Sequence, residues 1–348
     1  MTLLRRLSYA TLVLAFAQIV FGAIVRITGS GLGCGNHWPK CNGEWFPPHD
    51  RINLIIEITH RYIAATLTLA ILVLLVAAIM RRREIGVDRV LRPVLLAVGL
   101  VLTAAVFGAV TVKMDLNPYI IVTHLSIAMT LLAVLAVAAM RAGGFGLGAS
   151  GVGEHGDTSA LSLKNVRSGA SMLPHSALAS TGASAKTYRA ARAAAVMAFL
   201  ALVFGALTAN VAGANNSCRG FPWCTSVEVH GVPLSIQIVH RLLAFVLLLH
   251  IFGMVMAVRK RGESELIQRA IRLAFAAVCV QIFVAAMLVE LHLPAVWRSL
   301  HQAMGTLVWL AIFTMTALAR YTMVGGLGDT ASLRTESDVS PFDSAAAR

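Results

Sequence analysis

Two short stretches carry reactive side chains inside an otherwise apolar chain: Ile55–Ala64, IIEITHRYIA, and Ser235–Ala244, SIQIVHRLLA. Each sets a His-Arg pair behind an apolar run, with a polar residue three positions before the histidine: Glu57 before His60, Gln237 before His240. Positions three apart share a helix face, so Glu57 is expected beside His60 and Gln237 beside His240. A carboxylate next to an imidazole within an apolar helix is expensive to bury and marks a functional site. Two further histidines keep nearly the same spacing: His60 and His240 stand 180 positions apart, His124 and His301 177 apart.

The elements that position these residues follow from composition. Of 348 residues, 57% are apolar and 13% charged, with mean hydropathy +0.76. Soluble domains carry about 25% charged residues, so the chain is expected to be an integral membrane protein. Its net charge of +13 does not point to nucleic acid, because the basic residues sit at the ends of apolar runs, without interleaved aromatics. Spans of about 20 residues are expected at Ser8–Ile27, Asn53–Met80, Arg92–Val112, Pro118–Met140, Ala190–Val211, Pro233–Val258, Gln268–Glu290 and Pro294–Tyr321. Arg5 and Arg6 precede the first, and Ala15-Phe16-Ala17 resembles a signal-peptide cleavage site. The apolar run continues to Val25, so a retained helix is expected, and the lack of an Arg- and Ser-rich presequence suggests a bacterial protein.

Arg5, Arg6, Arg81, Arg82, Arg83, Arg89, Arg259, Lys260 and Arg261 mark one side, while the opposite loops carry few basic residues. The positive-inside rule then puts both termini in the cytoplasm of a bacterial inner-membrane protein. The loops holding Cys34/Cys41 and Cys218/Cys224 would face the oxidising side, where disulfides persist. Loops this short can close as disulfides; a redox role for the thiols is the sharper alternative. Cys279, alone in the seventh span, reads as a small core residue.

The two halves read as copies of one four-helix unit. Phe21-Gly22-Ala23 matches Phe204-Gly205-Ala206, Cys34 matches Cys218, and Pro39-Lys40-Cys41 matches Pro222-Trp223-Cys224. The expected fold is therefore all-α, with eight transmembrane helices forming two pseudo-symmetric four-helix bundles. The expected divisions are an N-terminal bundle over residues 1–140, a cytoplasmic linker without fixed structure over 141–189, a C-terminal bundle over 190–322 and a cytoplasmic tail over 323–348.

In each half the second and fourth helices contribute one histidine at comparable depth. Two imidazoles at matched depth on neighbouring helices can hold a flat metal cofactor such as haem. Zinc would want three or four clustered ligands, and a proton relay would want several carboxylates. Arg26, Arg61 and Arg241 suit cofactor propionates, since a guanidinium grips a carboxylate in a fork. Snorkelling to the interface is the plainer reading, above all for Arg26.

Ile24–Cys41, IVRITGSGLGCGNHWPKC, then Glu57-Ile58-Thr59-His60-Arg61, Thr123-His124-Leu125, Cys218 and Cys224, His240-Arg241 and His301 together resemble the haem A synthase family over roughly Leu4–Tyr321. The resemblance implies an oxidoreductase that acts on a CH group, taking the C8 methyl of haem O to the formyl of haem A by successive hydroxylations and loss of water. It implies that His60 and His124 hold the substrate haem, and that His240 and His301 hold a haem b that transfers electrons. Glu57 would then be the catalytic carboxylate, because a carbon losing electrons becomes cation-like, whereas Gln237 cannot ionise. A role for Glu57 in orienting the His60 ring is the alternative. Haem O synthase and oxidase assembly factors are the candidate partners besides the lipid bilayer; oligomeric state is left open. A dihaem b-type electron carrier and a repeat-built transporter remain as other function classes.

Overall fold

The computed structural model describes residues 2–35, 37–46, 51–83, 87–143 and 182–337. Eight helices make up nearly all of it: α1 Thr2–Ile27, α2 Ile52–Met80, α3 Val87–Lys113, α4 Pro118–Ala142, α5 Ala185–Asn210, α6 Val232–Lys260, α7 Glu265–Glu290 and α8 Ala295–Ser337. All eight are long and apolar enough to cross a membrane, so the chain is a multi-pass all-α membrane protein. Apolar side chains lie on the outside of every span, among them Val13, Leu69, Leu96, Leu249 and Leu273. In lipid such exposure costs nothing, because hydrocarbon tails are as apolar as leucine.

Two closed rings of helices result. Contacts run α1–α2–α3–α4 and back to α1 in the first half, and α5–α6–α7–α8 and back to α5 in the second. The halves join where α1 and α4 meet α5 and α8. At that seam the indole of Trp309 donates to the Met129 carbonyl at 2.9 Å, within one apolar cluster that includes Leu132, Ile251, Ile271 and Ile312. The repeat extends to the turns. Asp115 and Leu116 before α4, and His292 and Leu293 before α8, all take positive φ angles, a conformation few non-glycine residues adopt.

At one end, each half closes with a disulfide loop. Cys34 is bonded to Cys41 and Cys218 to Cys224, and a two-stranded ribbon pairs Cys218–Arg219 (β1) with Ser226–Val227 (β2). Gly33 permits the first loop to cross the start of α2, since a Cβ there would lie 2.7 Å from the Asn53 carbonyl oxygen. At the opposite, arginine-rich end, Glu263 is buried in the α6–α7 turn. Its carboxylate accepts from Thr187 at 2.6 Å, Ser184 at 2.7 Å and Arg261 Nε at 2.8 Å. Burial alone would raise its pKa, but these donors outweigh that and hold it below the ordinary carboxylate range.

Three sequence expectations change. First, helix α8 runs on to Ser337, through the stretch read as tail, although its apolar span ends at Met323, close to the expected Tyr321; Gly325, Gly326 and Gly328 in that extension are poor helix formers, so neither hydropathy nor propensity pointed to it. Second, α5 starts at Ala185, inside the stretch read as linker; residues 144–181, with most of that linker, lie outside the described residues, as do residues 338–348 of the tail. Third, Cys279 is exposed on the outside of α7 rather than packed in the core. Lipid and core are equally apolar surroundings, so hydrophobicity could not assign its face.

Candidate functional site

The four repeated histidines occupy matched places. His60 and His240 each follow the first residue of their helix by eight positions (52 to 60 and 232 to 240), and His124 and His301 follow theirs by six (118 to 124 and 295 to 301). At 1.5 Å per residue this sets them roughly 9–12 Å into their helices from the disulfide end. The expectation of neighbouring helices is corrected: within each ring α2 and α4, and likewise α6 and α8, take opposite corners. The side chains nonetheless converge across the bundle. The His240 and His301 rings lie 6.4 Å apart, centroid to centroid, with planes at 84°. In the first half His60 packs against Gly22 of α1 and His124 against Gly108 of α3.

Small residues on the other two corners make room for the rings. A Cβ on Gly22 of α1 would sit 3.0 Å from His60 Cε1, one on Gly205 of α5 would sit 2.8 Å from His240 Cε1, and one on Gly108 of α3 would sit 3.4 Å from His124 Cε1. The Phe21 ring stacks near His60 at 6.3 Å.

Polar partners of the rings come from a residue that sequence reasoning missed. The Gln18 side-chain amide lies 3.0 Å from His60 Nδ1 and 3.3 Å from Nε2, and donates to the His60 carbonyl at 3.1 Å. Gln281 does the same to His301, at 3.1, 3.4 and 3.1 Å. His240 Nδ1 donates instead to the Ala201 carbonyl at 2.9 Å. The Ala104 carbonyl lies beside His124, whose buried Nδ1 has no hydrogen bond. A signal was present: α1, α3, α5 and α7 carry Gln18-Ile-Val-Phe-Gly22-Ala, Ala104-Ala-Val-Phe-Gly108-Ala, Ala201-Leu-Val-Phe-Gly205-Ala and Gln281-Ile-Phe-Val-Ala285-Ala. One helix-pair contact is thus repeated four times.

Glu57 is buried, but its partners are not those expected. Its carboxylate accepts the Cys34 backbone N–H at 2.8 Å and pairs with Arg61 at 2.5 Å. The His60 ring is held by Gln18, so the alternative in which Glu57 orients that ring is corrected. Arg61 also donates to the carbonyls of His37, Pro39 and Lys40. In the second half Gln237 donates to the carbonyls of Cys218 at 3.3 Å and Asn215 at 3.4 Å, and Arg241 reaches Cys218 at 2.9 Å and Gly220 at 2.8 Å. Both arginines are therefore engaged with the disulfide loops. Arg26 donates to the Ala209 carbonyl across the seam between the halves, at 3.2 Å. His250 is a satisfied helix residue, bonded to the Ala190 carbonyl at 2.9 Å.

The donor sets fit haem. No group of three His, Cys, Asp or Glu side chains gathers among the described residues, so the site offers pairs of imidazoles. The 6.4 Å between His240 and His301 leaves room for one metal ion bonded to both rings, given metal–imidazole bonds of about 2 Å each. The buried Oε1 atoms of Gln18 and Gln281, which have no hydrogen-bond partner, lie beside those rings.

Comparison with known proteins identifies the family. A family model described as cytochrome oxidase assembly protein, COX15-CtaA, matches residues 5–313. A curated protein named heme A synthase from Staphylococcus epidermidis is 36% identical over 121 residues, which is 34% of this chain and 39% of that protein. Its namesake from Staphylococcus aureus matches with the same identity and coverage. The chain thus spans 39% of the length of the curated relatives it matches.

Proposed function

The chain belongs to the COX15-CtaA family of cytochrome oxidase assembly proteins, and from that membership we propose that it oxidises the C8 methyl of haem O to the formyl of haem A. One observation carries the reading: both halves turn a pair of imidazoles inward, but only the first adds a buried carboxylate, Glu57, where the second has Gln237.

His60 and His124 hold the substrate haem O, and His240 and His301 hold a haem b. When bound, that haem supplies one-electron chemistry tuned by its two imidazole ligands. Two successive hydroxylations of the methyl carbon followed by loss of water would leave the formyl group, a net four-electron oxidation (R–CH3 + H2O → R–CHO + 4 H+ + 4 e−) whose electrons must pass on to an external oxidant of the membrane. Positive charge develops on that carbon as electrons leave it. Glu57, fixed from two sides by Arg61 and the Cys34 amide, is a preorganised negative group for it, which costs no reorganisation during reaction. The disulfide loops pack on the starts of α2 and α6, the helix ends nearest His60 and His240. A propionate at that end would have to draw Arg26 from the Ala209 carbonyl, or Arg61 and Arg241 from the disulfide loops. The membrane is a bacterial inner membrane with both termini cytoplasmic, by the arginine-rich end. Haem O synthase is the natural supplier of substrate, and oxidase assembly is the destination of the product.

The equivalence of the two histidine pairs also suits a dihaem electron carrier, which would have no use for Glu57. Extracted pigment decides between them: haem O or a hydroxylated intermediate accumulating in Glu57→Ala supports the oxidation, and haem content of the purified protein tests the sites that both readings share. Low-spin b-type haem absorbance is expected in the wild type and in Glu57→Ala, and is expected to be lost in His240→Ala and His301→Ala. A pigment-free wild-type protein would overturn the reading.

A further inference from the structure

We propose that Arg189 and Arg192, on the outward face of α5 at the arginine-rich end, bind the phosphate of an anionic phospholipid whose acyl chain lies along Val196 and Met197. The site is separate from the histidine pairs and does not depend on haem.

Two helices of the second half open alike. α7 begins at Glu265 and carries arginines four and seven positions further on, Arg269 and Arg272. α5 begins at Ala185 and carries Arg189 and Arg192 at the same two positions. Residues three apart on a helix are neighbours, and like charges there repel. In α7 the first residue relieves the repulsion, because the Glu265 carboxylate accepts from Arg269 Nε at 2.9 Å and from Arg272 at 2.8 Å. In α5 alanine stands in that place. The described carboxylates near this end, Glu263 and Glu265, are taken by Arg261, Arg269 and Arg272. Among the described residues neither Arg189 nor Arg192 has a carboxylate partner or a hydrogen-bond acceptor. The α5 pair lacks the anion that the α7 pair holds.

The surroundings say which anion fits. Arg189 and Arg192 line an open cavity of about 430 Å³ together with Ala193, Val196 and Met197. Val196 is exposed on the outside of the bundle, so the arginines give way along α5 to an apolar strip that faces lipid. Arg192 lies about 10 Å from the start of α5 at 1.5 Å per residue. Its guanidinium sits over the Tyr188 ring, 5.9 Å from the centroid. Tyr188 is one turn nearer the helix start, so the side chain runs back toward the headgroup level, as long basic side chains do at a bilayer edge. Charge first and hydrocarbon next is the order of a phospholipid; a free anion would use the arginines alone. Basic pockets at the ends of membrane helices bind anionic headgroups.

The twofold repeat limits the site to one half. With Phe21 aligned to Phe204, Arg6 and Tyr9 of α1 stand where Arg189 and Arg192 stand in α5. The first half has no second arginine there, so one lipid per chain is expected.

Full-length protein purified in neutral detergent tests this by titration with palmitoyl-oleoyl phosphatidylglycerol or the matching phosphatidylcholine, with retained lipid counted by native mass spectrometry. The wild type is expected to hold one phosphatidylglycerol and to prefer it clearly over phosphatidylcholine. Arg192→Gln is expected to weaken retention about fivefold. Ala185→Glu keeps both arginines but installs the carboxylate that α7 already has, and is expected to weaken retention at least as much. Arg272→Gln removes an arginine already paired with Glu265 and is expected to leave retention unchanged. Each of the three lowers the net charge by one, so a general attraction of the basic end for anionic lipid would respond equally to all. Excess inorganic phosphate is expected not to displace the lipid. Displacement by phosphate, equal retention of the two lipids by the wild type, or an equal response of the three variants would overturn the proposal and leave the proposed function standing.

Discussion

The Cys34 backbone N–H donates to the Glu57 carboxylate at 2.8 Å, so the acidic group of the first half is part of the anchorage of its disulfide loop. Arg61, one turn further along α2, completes the hold at 2.5 Å. Glu57 thus has a structural attachment as well as a proposed catalytic duty, and two substitutions separate them. Glu57→Gln keeps a carbonyl for the Cys34 amide but loses the charge; Glu57→Ala loses both. Both are expected to cut haem A formation by about 10²-fold or more, with haem O or a hydroxylated product accumulating in extracted pigment. Only Glu57→Ala is expected to loosen the loop. Unchanged haem A formation in Glu57→Gln would contradict a catalytic role for the Glu57 charge.

Gln237 presents the mirror case, because it donates where Glu57 accepts. Gln237→Glu would turn a carboxylate toward the Cys218 and Asn215 carbonyl oxygens. The expected outcome is a loss of about 1–3 kcal/mol, read as a lower melting temperature of the purified protein. Unchanged melting would show that Arg241 swings over to neutralise the new charge.

Gly205 is expected to tolerate no side chain without moving His240, since a Cβ would stand 2.8 Å from Cε1. The ring is the softer party, so Gly205→Ala should displace it and deplete low-spin haem, while overpacking costs about 1–3 kcal/mol. Gly99→Ala is the control: nothing lies within 4 Å of a Cβ there, and helix propensity makes it neutral or stabilising by up to about 1 kcal/mol. Equal haem content in the two variants would contradict the packing account.

Acid should release the Glu263 cluster. Its folded-state pKa lies below the ordinary value near 4.5, so its contribution is fully present above that value and is lost as pH falls through the folded-state pKa. Melting temperature measured from pH 7 down to pH 3 should drop less steeply at the acid end in Glu263→Gln than in wild type. Parallel curves would show that the cluster contributes no pH-dependent stability.

Much of this architecture was legible in the chain because membrane spans and repeats write themselves plainly. The eight spans, the twofold repeat, both cysteine pairs and the matched depth of four histidines all follow from hydropathy and spacing, and each is present in the structure. The bundle corners were not legible. Spacing places His60 and His124 at equal depth but does not say whether α2 and α4 are neighbours or opposites, and only the contacts along each ring decide that. Gln18 and Gln281 went unread for a related reason. Each lies in a different span from the histidine it serves, so no local spacing links them, and the motif that joins them shows only when all four odd-numbered helices are superposed. Arg61 and Arg241 follow their histidines directly, yet they turn to the loops because Glu57 and unpaired loop carbonyls lie closer at hand.

Whether the chain performs the proposed oxidation is read most directly from pigments extracted from a bacterial host that makes haem O but no haem A, with and without this protein. Haem A is expected to appear only in cells that express it. Haem O alone in both, despite haem-loaded protein in the membrane, would contradict the account.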